Sequence, residues 1–402
     1  MSAGFEDARV ARHTLAGATI LQIVSALREE PGARAAINIA YALLQAGARA
    51  LIAAEGGPLA GELRGFGGEW IDFPDSGINP FRLRRNARLV EELIAAEGVD
   101  IVHAQSPGGA WSARIAAARI AVWLVTTLPD VPPRGRAYPA FVSALAQGDR
   151  IIAPSIYAAS PLIARYRIPR DQITIIPREI DTDVFDPMAV APGRTARLRA
   201  QWQIPAGDRI VLAPGRVAPW NGQNVLPEVA RTLNDEGVRG VSFAIVGEHA
   251  THRGYAREIM QRAQELGVGR LFRMTGHCAD LPAALLCADF VVVPAVEPPL
   301  LGSVVAQAQA MARPAIVSAV GMLPEHVLTP PRMPEELRTG WVVTPGAPTE
   351  LTRTLKLALA LEAAAYEAMS ARAREFAKYM FSHESAAAAM REVYTSLLAR
   401  EL

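Results

Sequence analysis

The strongest constraint on this chain is a pattern that runs through it twice: short, almost wholly apolar runs alternate with longer segments of helical period. From Ile20, ILQIVSAL reads as a strand and INIAYALLQAG as a helix closed by Gly47. ALIAAEGG, DIVHAQS, WLVTTL, RIIAPS and ITIIP continue the strands, with LVEELIAAEGV and GGAWSARIAAARI as helices between them. Strands that are apolar along their whole length are covered on both faces, and strands joined through helices run parallel. The pattern pauses at EIDTDVFDPMAVAPG, rich in Asp, Pro and Gly, and restarts with RIVLAPG, NVLPEVARTLNDEG, VSFAIVG and YAREIMQRAQELG. LFRMTG, LPAALLCA, DFVVVPA, VVAQAQAMA, PAIVS and GWVVTP complete the second set.

The predicted fold class is therefore α/β, with two tandem Rossmann-like doubly wound parallel-sheet domains. A length of 402 residues suits two cores rather than one. The expected division is a flexible N-terminus at 1–17, one domain at 18–190, a second at 191–383 and a helix at 384–402. Ligands of such sheets sit outside the carboxyl ends of the strands, which in a tandem pair predicts a cleft between the domains.

Composition narrows the function. The formal net charge is +1, so no global positive field exists to hold nucleic acid, and no nucleic-acid partner is expected. Cys278 and Cys287 stand without a Cys/His cluster and read as free thiols of a reducing compartment, not as metal ligands. The first residues lack a long apolar core, and no apolar stretch approaches the ~20 residues that cross a bilayer. A cytoplasmic protein is expected, at most peripheral to the inner membrane.

Several stretches carry a family resemblance: GRVAPWNGQ at 215–223, GHCADLPAALLCAD at 276–289, AQAMARPAIVS at 308–318 and TGWVVTPG at 339–346. With DIVHAQS and the strand ends of 150–181, they resemble the group 1 family of retaining, bacterial nucleotide-sugar glycosyltransferases over nearly the whole chain. The resemblance implies a GT-B fold, a donor nucleotide on the C-terminal domain, an acceptor on the N-terminal domain and a last helix that crosses back. It implies no cofactor and no metal, but a UDP- or GDP-sugar as co-substrate. The partner would be a cell-envelope glycan or lipid-linked acceptor. A diphosphate leaving group held without metal needs helix N-termini and cationic side chains.

On the family's G-R-x-x-x-x-K-G loop, the resemblance makes Gly215 and Arg216 donor-binding residues, and Asn221 stands at the lysine position. On the E-x-F-G-x-x-x-x-E motif, Pro299, Leu300, Leu301, Gly302 and Ser303 lead to Gln307, so both glutamates are replaced. Glu297, two residues upstream, is a substitute only if the loop shifts. Glu325 matches the distal glutamate, with Gly321-Met322 before it where the family has a glycine pair. His277 is a nucleotide-adjacent candidate. Further departures are Glu30-Pro31 in place of a glycine pair, Pro129 in place of a histidine, and Arg178-Glu179 after the I-P strand. Asn221 donates a hydrogen bond but brings no charge, and losing a charged partner costs ~1.5–3 kcal/mol.

His103, at a strand end, is a candidate general acid/base or else a satisfied structural histidine. Arg82, Arg84, Arg85 and Arg88 form either a solvated helix face or a contact for anionic lipid headgroups or a partner. Two readings of function follow. One is a sugar transferase with an unusual donor site; the other is a catalytically inactive relative that scaffolds a partner in a glycan-synthesis system.

Overall fold

The computed structural model describes residues 14–74, 79–129, 138–298 and 302–400. Of the N-terminus expected to be flexible at 1–17, residues 1–13 lie outside the described residues, as does the segment Pro299, Leu300, Leu301, whereas Leu15 is buried and the Gly17 amide donates to the Gly47 carbonyl. The chain divides into two compact units, 1–177 with 383–402, and 178–382.

The first unit holds a seven-stranded sheet of β1 (Thr19–Ala26), β2 (Arg49–Glu55), β3 (Glu69–Asp72), β4 (Ile101–Ala104), β5 (Trp123–Thr127), β6 (Arg150–Ala153) and β7 (Ile173–Ile175). Their order is β3-β2-β1-β4-β5-β6-β7, and every pairing is parallel. The connecting helices are α1 (Pro31–Gln45), α2 (Leu59–Gly65), α3 (Pro80–Glu97), α4 (Pro107–Ala117), α5 (Tyr138–Leu145) and α6 (Ile156–Tyr166). Central strands such as β4 are buried at every residue, as their unbroken apolar runs require. The edge strand β3 (sequence EWID) is half-exposed and too polar to stand out in the sequence.

The second unit holds β8 (Arg209–Pro214), β9 (Val241–Val246), β10 (Phe272–Gly276), β11 (Phe290–Val293), β12 (Ala315–Ser318) and β13 (Gly340–Val343) in the order β10-β9-β8-β11-β12-β13. Its helices are α7 (Pro192–Gln201), α8 (Leu226–Asp235), α9 (Arg253–Glu265), α10 (Leu281–Cys287), α11 (Ser303–Ala310), α12 (Pro348–Leu359) and α13 (Ala363–Phe381). In both sheets the order reverses beside the first strand, between β1 and β4 and between β8 and β11. That reversal is the topological switch point of a doubly wound sheet.

The last helix, α14 (His383–Leu398), belongs to the first unit, where Met390, Val393, Tyr394, Leu397 and Leu398 join the core of β1, β2 and α1. The division falls at Pro177, earlier than the expected 190. The Asp- and Pro-rich stretch after it is packed structure of the second unit, not a free connector. Ile180 is buried with Ala306, Ala310, Ala377 and Phe381, and its N–H donates to the Phe381 carbonyl at 2.7 Å. Asp181 accepts from the amides of Asp183 and Val184, and Asp186 pairs with Arg374 at 2.9 Å. The Asp and Pro residues that suggested a linker are turn formers closing these local loops.

Candidate functional site

At the switch point of the second sheet, the carboxyl ends of β8 and β11 open into a cavity of about 320 Å³. Ala213, Pro214, Val293 and Pro294 form its floor, and Ser303, Val304 and Gln307 bring the first turns of α11 into its wall. Gly302 precedes that helix without a side-chain cap; the Val305 amide returns to the Gly302 carbonyl, which leaves the amides of Ser303 and Val304 without a cap among the described residues. The positive end of the helix dipole favours an anion there.

Arg216 supplies the formal charge of this wall among the described residues. Its backbone is held rigidly. Asn221 Nδ2 and Gln223 Nε2 both donate to the Arg216 carbonyl, at 2.7 and 3.0 Å. The loop that carries them is then tied to the loop after β11. The amides of Val296 and Glu297 both donate to the Trp220 carbonyl. Gly222 has φ 67°, and a Cβ there would lie 2.0 Å from the Pro294 carbonyl oxygen, so only glycine lets the two backbones meet.

Two further features shape the electrostatics. Glu248 accepts from the amides of Ala250 and Thr251. Desolvation acts against its charge, but those amides and the nearby Arg216 hold its carboxyl below the usual range. Gln223 is buried, and while its amide nitrogen serves Arg216, its Oε1 has no hydrogen-bond partner among the described residues. Buried acceptors are ordinarily paired, so this oxygen, itself shielded from solvent, is an exception just behind the cavity wall.

Of the predicted donor-site residues, Gly215, Arg216, Asn221, Ser303 and Gln307 meet in this cavity. Gly302 adjoins it, packed so closely that a Cβ would lie 2.9 Å from Met322 Sδ. Met322 is buried, filling the space where the resemblance expects glycine. Glu297 and His277 are exposed outside the cavity lining, and Glu325 is half-buried on the turn Leu323–His326, also outside it. Trp220 and Gln223 line the cavity and were passed over, although both lie within the GRVAPWNGQ stretch. Trp220 also meets His252 edge to face, with ring centroids 4.9 Å apart.

His103 is not placed for catalysis. It is fully buried in β4, and both ring nitrogens are engaged, Nδ1 with the Tyr394 hydroxyl and Nε2 with Thr127 Oγ1, each at 2.7 Å. Burial depresses its pKa to about 3, so the ring is neutral. Of the two readings the sequence left open, general acid/base or satisfied structural histidine, the hydrogen bonds match the second: the ring ties α14 to the sheet. Arg82, Arg84, Arg85 and Arg88 are exposed on α3. No cluster of three or more potential metal ligands occurs among the described residues.

Two parallel sheets of this order, the second with an anion-favouring cavity at its switch point, define a tandem doubly wound protein of the GT-B type. Two family models divide the chain between them: Glycosyltransferase Family 4 matches residues 32–184, and Glycosyl transferases group 1 matches 195–376. The chain belongs to the group 1 glycosyltransferase family. A glycosyltransferase from Rickettsia africae is similar across 95% of this chain and 99% of its own, with TM-score 0.78 and 25% identity. Anabaena HepE, solved in complex with UDP, covers 94% of the chain with TM-score 0.72 and 19% identity, a likeness of fold. A D-inositol 3-phosphate glycosyltransferase of Segniliparus rotundus is 31% identical over 189 residues, 46% of this chain and 40% of that protein. A second one, from Xylanimonas cellulosilytica, is 30% identical over half of this chain and 47% of its own length. The chain thus spans less than half of these curated relatives.

Proposed function

We propose that the protein transfers a sugar, with retention, from a UDP- or GDP-sugar to a cell-envelope glycan or lipid-linked acceptor. The observation that carries this reading is the convergence of Gly215, Arg216, Ser303 and Gln307 on one cavity at the switch point of the second sheet. Arg216 and the first turn of α11 suit a diphosphate, and the apolar floor suits a ring. That HepE holds UDP on a similar fold supports the choice of donor class.

Specific observations favour a second reading, an inactive relative that binds or scaffolds. Asn221 is committed to the Arg216 carbonyl, and Met322 fills the space beside Gly302. Calorimetric titration with UDP, GDP and their sugar conjugates separates the two. The transferase reading expects binding of one nucleotide in the micromolar range and a loss of about tenfold or more in Arg216→Ala, the cost of one charged hydrogen-bond donor. Silence with every nucleotide sinks it in favour of the scaffold.

A further inference from the structure

The second unit carries a groove that shares no lining residue with the cavity at its switch point. It follows α9 beside β10, the edge strand of the sheet, and has a volume of about 800 Å³. Along α9, Arg253, Arg257, Met260 and Gln264 succeed one another at the spacing of a single helical face. At 1.5 Å per residue that stripe is about 16 Å long. The loop before the helix adds His249, and β10 adds Met274. Ile259 and Ala263, on another face of α9, are buried in the core, so the stripe is held in one orientation.

The three arginines of α9 are used differently. Arg262 lies off the stripe and pairs with Glu228 at 3.2 Å and Glu265 at 3.6 Å. Arg253 and Arg257 lie on it, exposed, and make no ion pair among the described residues; the Arg257 Nε reaches only the Arg253 carbonyl, at 3.4 Å. No carboxylate lines the groove among the described residues. Glu248, beside His249 in sequence, is turned to the amides of Ala250 and Thr251. Like charges one helical turn apart repel, and a cation in the first turn also opposes the helix dipole. An anion between the two guanidiniums relieves both costs.

The charge is confined to one end of the groove. Beyond it come the amides of Gln261 and Gln264 and the thioethers of Met260 and Met274. That pattern suits one anionic group on a polar body of metabolite size. Two guanidiniums and an imidazole match the three free oxygens of a phosphate ester better than the two of a carboxylate. A long polyanion fits poorly, because Glu258 and Glu265 stand exposed on the next face of the helix.

We propose that this groove binds the phosphate ester of a small polyhydroxylated molecule, with the phosphate on Arg253, Arg257 and His249 and the hydroxyls on Gln261 and Gln264. It is a second anion site of the second unit and does not depend on the transferase reading.

The test is calorimetric titration of the full chain with glucose 6-phosphate, inorganic phosphate and glucose. The ester should bind, inorganic phosphate should bind about tenfold more weakly, and glucose should be silent. The double variant Arg253→Gln, Arg257→Gln should lose about a hundredfold in ester affinity with no shift in unfolding midpoint, because both side chains are exposed. Arg257→Gln alone, about tenfold weaker, serves the same end if the pair fails to fold. Arg216→Ala should leave ester binding unchanged. Silence of both phosphates at millimolar concentration overturns the proposal, as does full binding by the double variant. Loss of the ester in Arg216→Ala instead would move the anion to the other cavity, and equal affinity for inorganic phosphate would remove the polyhydroxylated body. Tighter binding of an oligoaspartate peptide than of the ester overturns the ligand class. Ester silence with UDP binding intact sinks this site and leaves the transferase reading standing; ester binding with every nucleotide silent does the reverse.

Discussion

The two sheets share one strand order and treat their switch points in opposite ways. Beside β1 and β4, polar side chains satisfy one another. Gln22 donates to the Ala36 carbonyl and accepts from Gln105, while His103 is spent on Tyr394 and Thr127. Beside β8 and β11, the polar atoms are left over. Among the described residues, Gln223 Oε1 is buried without a partner, the amides of Ser303 and Val304 have no side-chain cap, and the Arg216 guanidinium makes no ion pair. Topology offers both places; the proposed donor site is the second, where polar atoms are left over.

The largest expected effect breaks the satisfied side. Tyr394→Ala removes a fully buried ring from the core of the first unit and strips His103 of a partner. A loss of about 3–5 kcal/mol is expected for the first unit, read as an early transition in urea unfolding. Nucleotide binding by the second unit should persist at urea concentrations where the first is unfolded. If Tyr394→Ala abolishes both together, the two regions do not act separately. Tyr394→Phe, which keeps the ring and loses only the hydroxyl, should cost about 1 kcal/mol.

A smaller effect follows from His103 itself. Its folded pKa is about 3 against an ordinary 6.5, and the cause is burial of the charged form. The unfolded chain therefore binds the extra proton first as pH falls. The stability this neutral histidine contributes is complete above pH 6.5 and declines as pH drops from 6.5 toward 3. Between pH 7 and pH 5 the first unit should lose about 2 kcal/mol, measured by urea midpoints at each pH. His103→Gln should flatten that slope; an unchanged slope would assign it to other groups.

The contrast also explains what was legible in the sequence. The alternation of apolar strands and helices gave the sheets, because a buried strand and an amphipathic helix each leave a periodic mark. The cavity was legible as far as it is built from one contiguous loop, GRVAPWNGQ, and the start of α11. What was not legible depends on contacts distant in sequence. Tyr394 is 291 residues from His103, and nothing near His103 reveals that its ring is already occupied. The orphan Gln223 oxygen exists only because its nitrogen was drawn to Arg216, a choice of rotamer rather than of residue type. The unit boundary was misplaced for a similar reason. Asp, Pro and Gly mark turns, and turns occur in packed segments such as that around Ile180 as readily as in linkers.

The smallest predicted effect sharpens the comparison most. Asn221 gives its amide to the Arg216 carbonyl, a bond that Gln223 duplicates. Asn221→Lys therefore forfeits a contact whose acceptor remains satisfied, and the loop should keep its shape. The new ammonium would place a second cation beside Arg216, where Glu248 already responds to positive charge. Desolvation and side-chain ordering take back part of the Coulomb gain, so about fivefold tighter binding of a nucleoside diphosphate is expected, near 1 kcal/mol. Calorimetry of the variant against the wild type reads it directly, and the gain should shrink as salt is raised. No gain at low salt would mean that anion binding is limited by something other than charge, with Met322 beside Gly302 the next side chain to shorten. A gain confined to nucleoside diphosphates and absent with monophosphates would show that the second cation reaches the second phosphate.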